Sequence, residues 1–180
     1  MRLFAALVLP KPLVNYINQL QHHCQQAQWF KANYPESSHL HVTLLFLGER
    51  ETSQVENIRE KFREAAIGRS AIISQVKRIE PRRDLLWLRL EDPDQSMAEL
   101  ARRLQEYLDH KHPSARLFVP HITLLRIKQQ FIAREKLIEE LDKLEIYKQP
   151  ILLNQLGLYH SELHPQGSHY TCLEMIKLMD

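Results

Sequence analysis

Cysteine is nearly absent from this chain: Cys24 and Cys172 are the only two in 180 residues, and neither belongs to a Cys-x-x-Cys pair. That spacing argues against a structural zinc site of the finger or ribbon type. Without an export signal, both are expected as reduced thiols in a cytoplasm rather than as a disulfide. Charge of one sign is also scarce. A formal net charge of +2 is too small for a protein that coats long nucleic acid by charge alone, although it allows a local basic patch. No apolar run nears the ~20 residues that span a bilayer, so no membrane segment is expected. The run Leu3 to Leu9 follows Arg2 but leads straight into Pro10-Lys11-Pro12 without a small-residue cleavage site. It reads as an N-terminal core strand and not as a secretory signal. What is present, 44% hydrophobic and 26% charged residues, is the balance of a globular chain able to form one domain or two small lobes over a shared core.

Periodicity divides the chain into alternating strands and helices. Arg2 to Leu9 reads as a strand, and Lys11 to Gln25 as a helix with Leu13, Ile17 and Leu20 on one stripe. A short extended piece is expected at Gln28 to Phe30, a strand at Leu40 to Leu47 closed by Gly48, and a helix from Thr52 or Ser53 to Ala66. Ala71 to Ile79 and Leu85 to Leu90 are expected as two strands joined by a short turn, hence antiparallel. In the second of these, Leu86, Leu88 and Leu90 alternate with Trp87 and Arg89. Asp92-Pro93-Asp94 is expected to open a helix reaching about His110, followed by a strand at Phe118 to Ile127, a helix at Phe131 to Leu144, and strands at Pro150 to Tyr159 and Tyr170 to Leu178. The pattern predicts an α+β fold in which residues 1–180 form one domain of two loosely related lobes.

One pattern occurs twice, eighty residues apart: His41-Val42-Thr43-Leu44 and His121-Ile122-Thr123-Leu124. Strand residues two apart share a face, so each copy offers an imidazole and a hydroxyl on one surface, backed by apolar packing. A single histidine in a strand is usually structural. Two with identical threonine partners suit the cleavage of a phosphodiester, in which one imidazole takes a proton, the other gives one, and hydroxyls hold the phosphate oxygens. Arg126 lies five residues after His121, so strict alternation places it on the opposite face unless the strand twists, bulges or ends first.

Four stretches then resemble the 2H phosphoesterase superfamily, and within it the RNA 2′,3′-cyclic phosphodiesterase (LigT-like or ThpR-like) branch. They are Arg2 to Leu7 with Pro10, Leu40 to Glu49, Phe118 to Arg126, and Leu158 to Leu163 with Gly167 and Tyr170. The resemblance implies two mainly antiparallel sheets facing a central cleft, with helices outside. It also implies opening of 2′,3′-cyclic phosphates at RNA ends to 2′-phosphates without a metal or cofactor, with 2′-5′ RNA ligation as related reverse chemistry. By position, His121 becomes the general base, His41 the general acid, Thr43 and Thr123 phosphate ligands, and Arg126 a phosphate contact. The implied partners are RNA ends or nucleotides bearing a cyclic phosphate, and a monomer is expected. Two departures bear on substrate preference: Gln28 stands before Trp29 where the family often has Arg, and the segment Tyr34 to Leu40 is longer than usual.

Phe4, Trp29, Tyr159 and Tyr170 are the candidate rings for a nucleobase, with core packing the simpler account of Phe4. His39 shares a face with His41, which makes a metal pair conceivable; His22 and His23, adjacent on a helix, make a poor one. His110 and His112 flank an expected helix end, and His160, His164 and His169 an expected loop. Lys77-Arg78 with Arg82-Arg83 reads first as solvated surface and second as an RNA-backbone contact. The competing functions are a 2H esterase for small cyclic nucleotides and a non-catalytic module that binds nucleotides or RNA ends.

Overall fold

The computed structural model describes residues 1–109, 117–164 and 167–179. The apolar stripes form the expected helices. Helix α1 (Lys11–Gln26) buries Leu13, Ile17, Leu20 and Cys24, with Pro12 in the first turn, where a missing N–H costs little. Helix α2 (Val55–Ala66) buries Ile58, Phe62, Ala65 and Ala66. Helix α3 (Ser96–Leu108) starts later than Asp-Pro-Asp suggested, because the Asp92 carboxylate accepts the N–H groups of Met97 and Ala98 across a left-handed Gln95. His110 and His112 lie outside the described residues. Helix α4 (Arg134–Asp142) is shorter than expected: the Phe131 N–H donates to the Trp29 carbonyl and so prolongs a strand pairing instead of opening a helix.

Ten strands complete the described residues: β1 (Arg2–Val8), β2 (Phe30–Asn33), β3 (His41–Glu49), β4 (Ile72–Ser74), β5 (Val76–Arg82), β6 (Leu85–Leu90), β7 (His121–Gln130), β8 (Ile151–Leu153), β9 (Gln155–His164) and β10 (Gly167–Lys177). Two expected strands are each broken in two. Ala71 to Ile79 breaks at Gln75, where the Ser74 hydroxyl donates to the Glu91 carbonyl and the Glu91 N–H to the Gln75 carbonyl. Pro150 to Tyr159 breaks at Asn154, whose carbonyl takes the Leu178 N–H. The freed pieces β4 and β8 pair with each other. The β9–β10 hairpin runs further than expected and puts His160 and His169 in strands.

Two four-stranded antiparallel sheets result. The first has the order β10-β9-β1-β3 and the second β2-β7-β6-β5, so each holds one of the two repeated patterns. The sheets are not consecutive halves of the chain. The first gathers both ends of the sequence and the first pattern, and the second gathers the middle. Helices α2 and α3 pack on the first sheet, α1 against β7, and α4 against β5. One contiguous apolar cluster runs through both, from Leu3 and Leu7 through Leu88 and Ile122 to Leu158. Each fully buried aliphatic side chain contributes about 1.5–3 kcal/mol, so the chain's repeated passage between sheets ties them through shared core. Among the described residues, no helix is long and apolar enough to cross a membrane.

Candidate active site

Strands β3 and β7 come from different sheets and pack against each other, which brings the two patterns together. Both strands carry the same irregularity. Ala5 pairs with Leu45 and Ala6 with Thr43, so Leu44 is an extra residue in β3; Leu86 pairs with Leu125 and Trp87 with Thr123, so Leu124 is the extra residue in β7. At a bulge, two successive side chains take the same side. Leu44 with Leu45, and Leu124 with Leu125, are accordingly all buried. The next residue returns to the face of the His and Thr: exposed Phe46 in one strand, exposed Arg126 in the other. The bulge is therefore what turns Arg126 towards the site, where it is ion-paired with Asp84.

The imidazoles are held alike. His41 Nδ1 lies 2.7 Å from the His39 carbonyl, and His121 Nδ1 lies 2.7 Å from the Val119 carbonyl. A carbonyl only accepts, so both Nδ1 atoms carry hydrogen and both Nε2 atoms are left for chemistry. His41 Nε2 meets the Thr43 hydroxyl at 3.0 Å. Thr123 is half-buried on the face of His121.

Burial is the main reason both imidazoles are hard to protonate. For His41 it lowers the pKa to about 4, against the carbonyl of His39, with the rings of His39 and His121 adding smaller depressions. His121 is also lowered, first by burial; the Val119 carbonyl opposes this, Arg89 adds to it and Glu80 opposes it. The unfolded chain therefore binds protons more readily. Stability due to neutral His41 is complete above about pH 6.5 and is lost as pH falls towards 4, by about 3 kcal/mol in all. Urea unfolding at pH 7 and pH 4 checks this: His41→Gln should lose about 3 kcal/mol less than the parent chain between the two, and equal losses would contradict it.

Aromatic rings surround His41. Phe4, 2% exposed, lies under it at 5.0 Å and contacts Phe46, Tyr159 and Tyr170 at 5.9, 5.2 and 5.0 Å. Phe4 is thus a floor, and the core reading describes it better than a ring open to a base. A Cβ at Gly157 would fall 2.4 Å from the Tyr159 ring, so only glycine lets that ring lie flat over the sheet and stack on Phe4. Tyr170 stands edge-on to His41 at 5.6 Å and 4.6 Å from His39. Phe4, Val14, Ser38, His41, Tyr159 and Tyr170 are among the residues lining a cavity of about 120 Å³. Trp29 is 8% exposed, packs against His23 and Phe30, and belongs to the core. The ring named from sequence as a nucleobase candidate thus follows a left-handed Gln28 and packs in the core.

Three residues of the site were not singled out as candidates from sequence. Phe46 is 62% exposed beside Phe4. Trp87 stacks on His121, centroids 3.7 Å apart and planes at 21°. Arg89 pairs in register with His121. The alternation over Leu85–Leu90 already put Trp87 and Arg89 opposite the core, but which strand would neighbour His121 was not readable. Among the described residues, no three His, Cys, Asp or Glu side chains converge as metal ligands. Cys24 is buried, which pushes its thiol to about 12, and Cys172 is exposed; both are free thiols.

Two antiparallel sheets, each contributing a His-x-Thr strand to one site, define the class of 2H phosphoesterases. The model of the 2′-5′ RNA ligase superfamily matches residues 9–164, and the chain belongs to that family. It is 30% identical over 151 residues to the RNA 2′,3′-cyclic phosphodiesterase of Thermotoga maritima, covering 80% of this chain and 78% of that one. It is 28% identical to the protein of the same description from Methanothermobacter thermautotrophicus, covering 98% of both. The crystal structure of TT0787 from Thermus thermophilus superposes with a TM-score of 0.80 at 24% identity, over 99% of this chain and 98% of that one, a likeness of fold.

Proposed function

We propose that the protein hydrolyses RNA 2′,3′-cyclic phosphate ends to 2′-phosphomonoesters by metal-independent two-histidine catalysis. The observation that carries this reading is the matched tethering of two imidazoles, each with Nδ1 on a carbonyl two residues back and Nε2 free of the backbone. The names of the two relatives point the same way. In the forward reaction His121 Nε2 takes a proton from water, the water oxygen bonds to phosphorus, the P–O3′ bond breaks, and His41 Nε2 gives its proton to O3′. Thr43 and Thr123 donate to the non-bridging oxygens, and Arg126 balances their charge. The face of Trp87 favours the imidazolium form of His121, the form it reaches on taking the proton. His41 is neutral in the empty site. The arriving phosphodiester anion raises its pKa and supplies the conditions for it to act as acid. A 5′-hydroxyl in place of water, with the same bond to O3′ broken, gives 2′-5′ joining, and the reverse of those steps cuts such a linkage back to the cyclic phosphate. Tyr170 and exposed Phe46 suit a nucleobase. The reading is of a monomer acting on RNA ends in the cytoplasm.

Incubation with EDTA and a 2′,3′-cyclic-phosphate oligonucleotide, a 2′,3′-cyclic mononucleotide and a 3′,5′-cyclic control tests the proposal. The expected result is turnover of the 2′,3′-cyclic ends alone, with 2′-phosphate product. A 3′-phosphate product overturns the leaving-group assignment, and turnover abolished by EDTA overturns the metal-free scheme.

A further inference from the structure

The equivalent bulges place different chemistry on the two halves of the site: Phe46 in the first sheet, Arg126 in the second. The contrast extends across each sheet. Around His41 the first sheet presents the rings of Phe4, Phe46, Tyr159 and Tyr170. In the second sheet, directly paired residues share a face, and the ladder runs outward from the site. His121 pairs with Arg89 and Arg89 with Arg78; Thr123 pairs with Trp87 and Trp87 with Glu80. The buried residues Ile79, Leu86, Leu88 and Ile122 occupy the other face, so all of these point away from the core. Arg82 joins them, its guanidinium 5.9 Å from the Trp87 ring that itself lies on His121.

Four arginines thus line one sheet face beside the reacting phosphate: Arg78, Arg82, Arg89 and Arg126. Two carboxylates answer them. Glu80 is shared, bound by Arg78 at 2.8 Å and by Arg89 only at 3.9 Å, and Asp84 is paired with Arg126. Among the described residues, the Arg89 Nε atom is buried without a hydrogen-bond partner. The face therefore carries surplus positive charge next to a site already suited to one phosphate, and its guanidinium groups are not saturated by protein.

We infer that this arginine face of the second sheet is a binding track for the single-stranded RNA upstream of the cyclic end, so that the terminal nucleoside rests on the first sheet and the preceding phosphates cross β6 and β5. This rests on the proposed activity at the same site. It makes the substrate an oligonucleotide in preference to a mononucleotide, and it gives the strand one direction through the site. Cations spaced across a sheet bind phosphates without reading sequence, so the preference is for length and not for base identity.

The test compares kcat/KM for a 2′,3′-cyclic mononucleotide and a tetranucleotide with the same terminal nucleoside, each over a range of NaCl concentrations. The tetranucleotide should be favoured about tenfold at low salt, and its log–log salt slope should be steeper by about 1.4, the effect of two phosphates on a single strand. Arg78→Ala combined with Arg82→Ala should remove that advantage and the extra slope. Arg102→Ala, an exposed arginine on α3, serves as the charge control and should leave both in place. Equal kcat/KM and equal slopes for the two substrates overturn the track while the activity stands. An equal fall for both substrates in the Arg78/Arg82 variant overturns it too, by assigning those residues to the site or the fold. No turnover of either substrate overturns the activity itself.

Discussion

His41→Ala and His121→Ala are each expected to lower kcat by about 10²–10⁴-fold, the range that positioned acid–base groups supply, with circular dichroism and thermal unfolding expected to show a folded chain. Neither ring fills the core; both lie half-buried on the face opposite it, so removal opens no large cavity. The two losses do not add: with one proton relay gone the other has no partner, and the double variant should be little slower than either single one. A single variant that keeps a tenth or more of the activity contradicts the two-histidine scheme. The pH profile adds a second check. Catalysis needs one imidazole neutral and the other charged, and kcat/KM reports the free protein. Burial lowers the His41 pKa to about 4 and also holds His121 below the ordinary imidazole value. The maximum in kcat/KM is therefore expected on the acid side of the ordinary imidazole range, with a decline towards neutrality, whichever histidine is the acid. For kcat the alkaline limb lies higher, because bound phosphate favours the protonated ring. Coincident limbs would contradict that account.

Thr43→Ala and Thr123→Ala are expected to lower kcat by about 10²–10³-fold each, the usual effect of losing one preorganised donor to a developing oxyanion. The two should differ in pH behaviour. Thr43 bonds His41 Nε2 in the empty site, so its removal also frees that nitrogen and alters the titration of His41, read from its ring proton by NMR. Thr123 is not paired with His121 in this way, and its loss should leave the His121 titration nearly unchanged. Thr43→Ser and Thr123→Ser keep the hydroxyl and should recover most activity. A threonine whose alanine variant changes KM alone contributes uniform binding and is not the proposed oxyanion donor.

Local chemistry made much of this molecule legible. The apolar stripes of α1 to α3, the strands carrying the repeated pattern and the antiparallel β5–β6 hairpin follow from periods of 3.6 and two, which neighbouring residues alone impose. Elements broken by distant partners were not legible. Ser74 reaches Glu91, Asn154 reaches Leu178, and Phe131 reaches Trp29; each bond joins segments that no local pattern links, and each moved a boundary.

The same division runs through the site. Sequence determined which side chains the proposed chemistry could draw on, because His and Thr two apart in a strand share a face whatever the strand pairs with. Tertiary structure alone decided that β3 and β7 meet, that Trp87 and Arg89 stand beside His121, and that Trp29 turns inward. It also decided that a bulge brings Arg126 and Phe46 back to the face that bears the His and Thr side chains. Strand pairing and register are set by packing energy summed over the whole core, and a one-residue slip reverses every side chain beyond it.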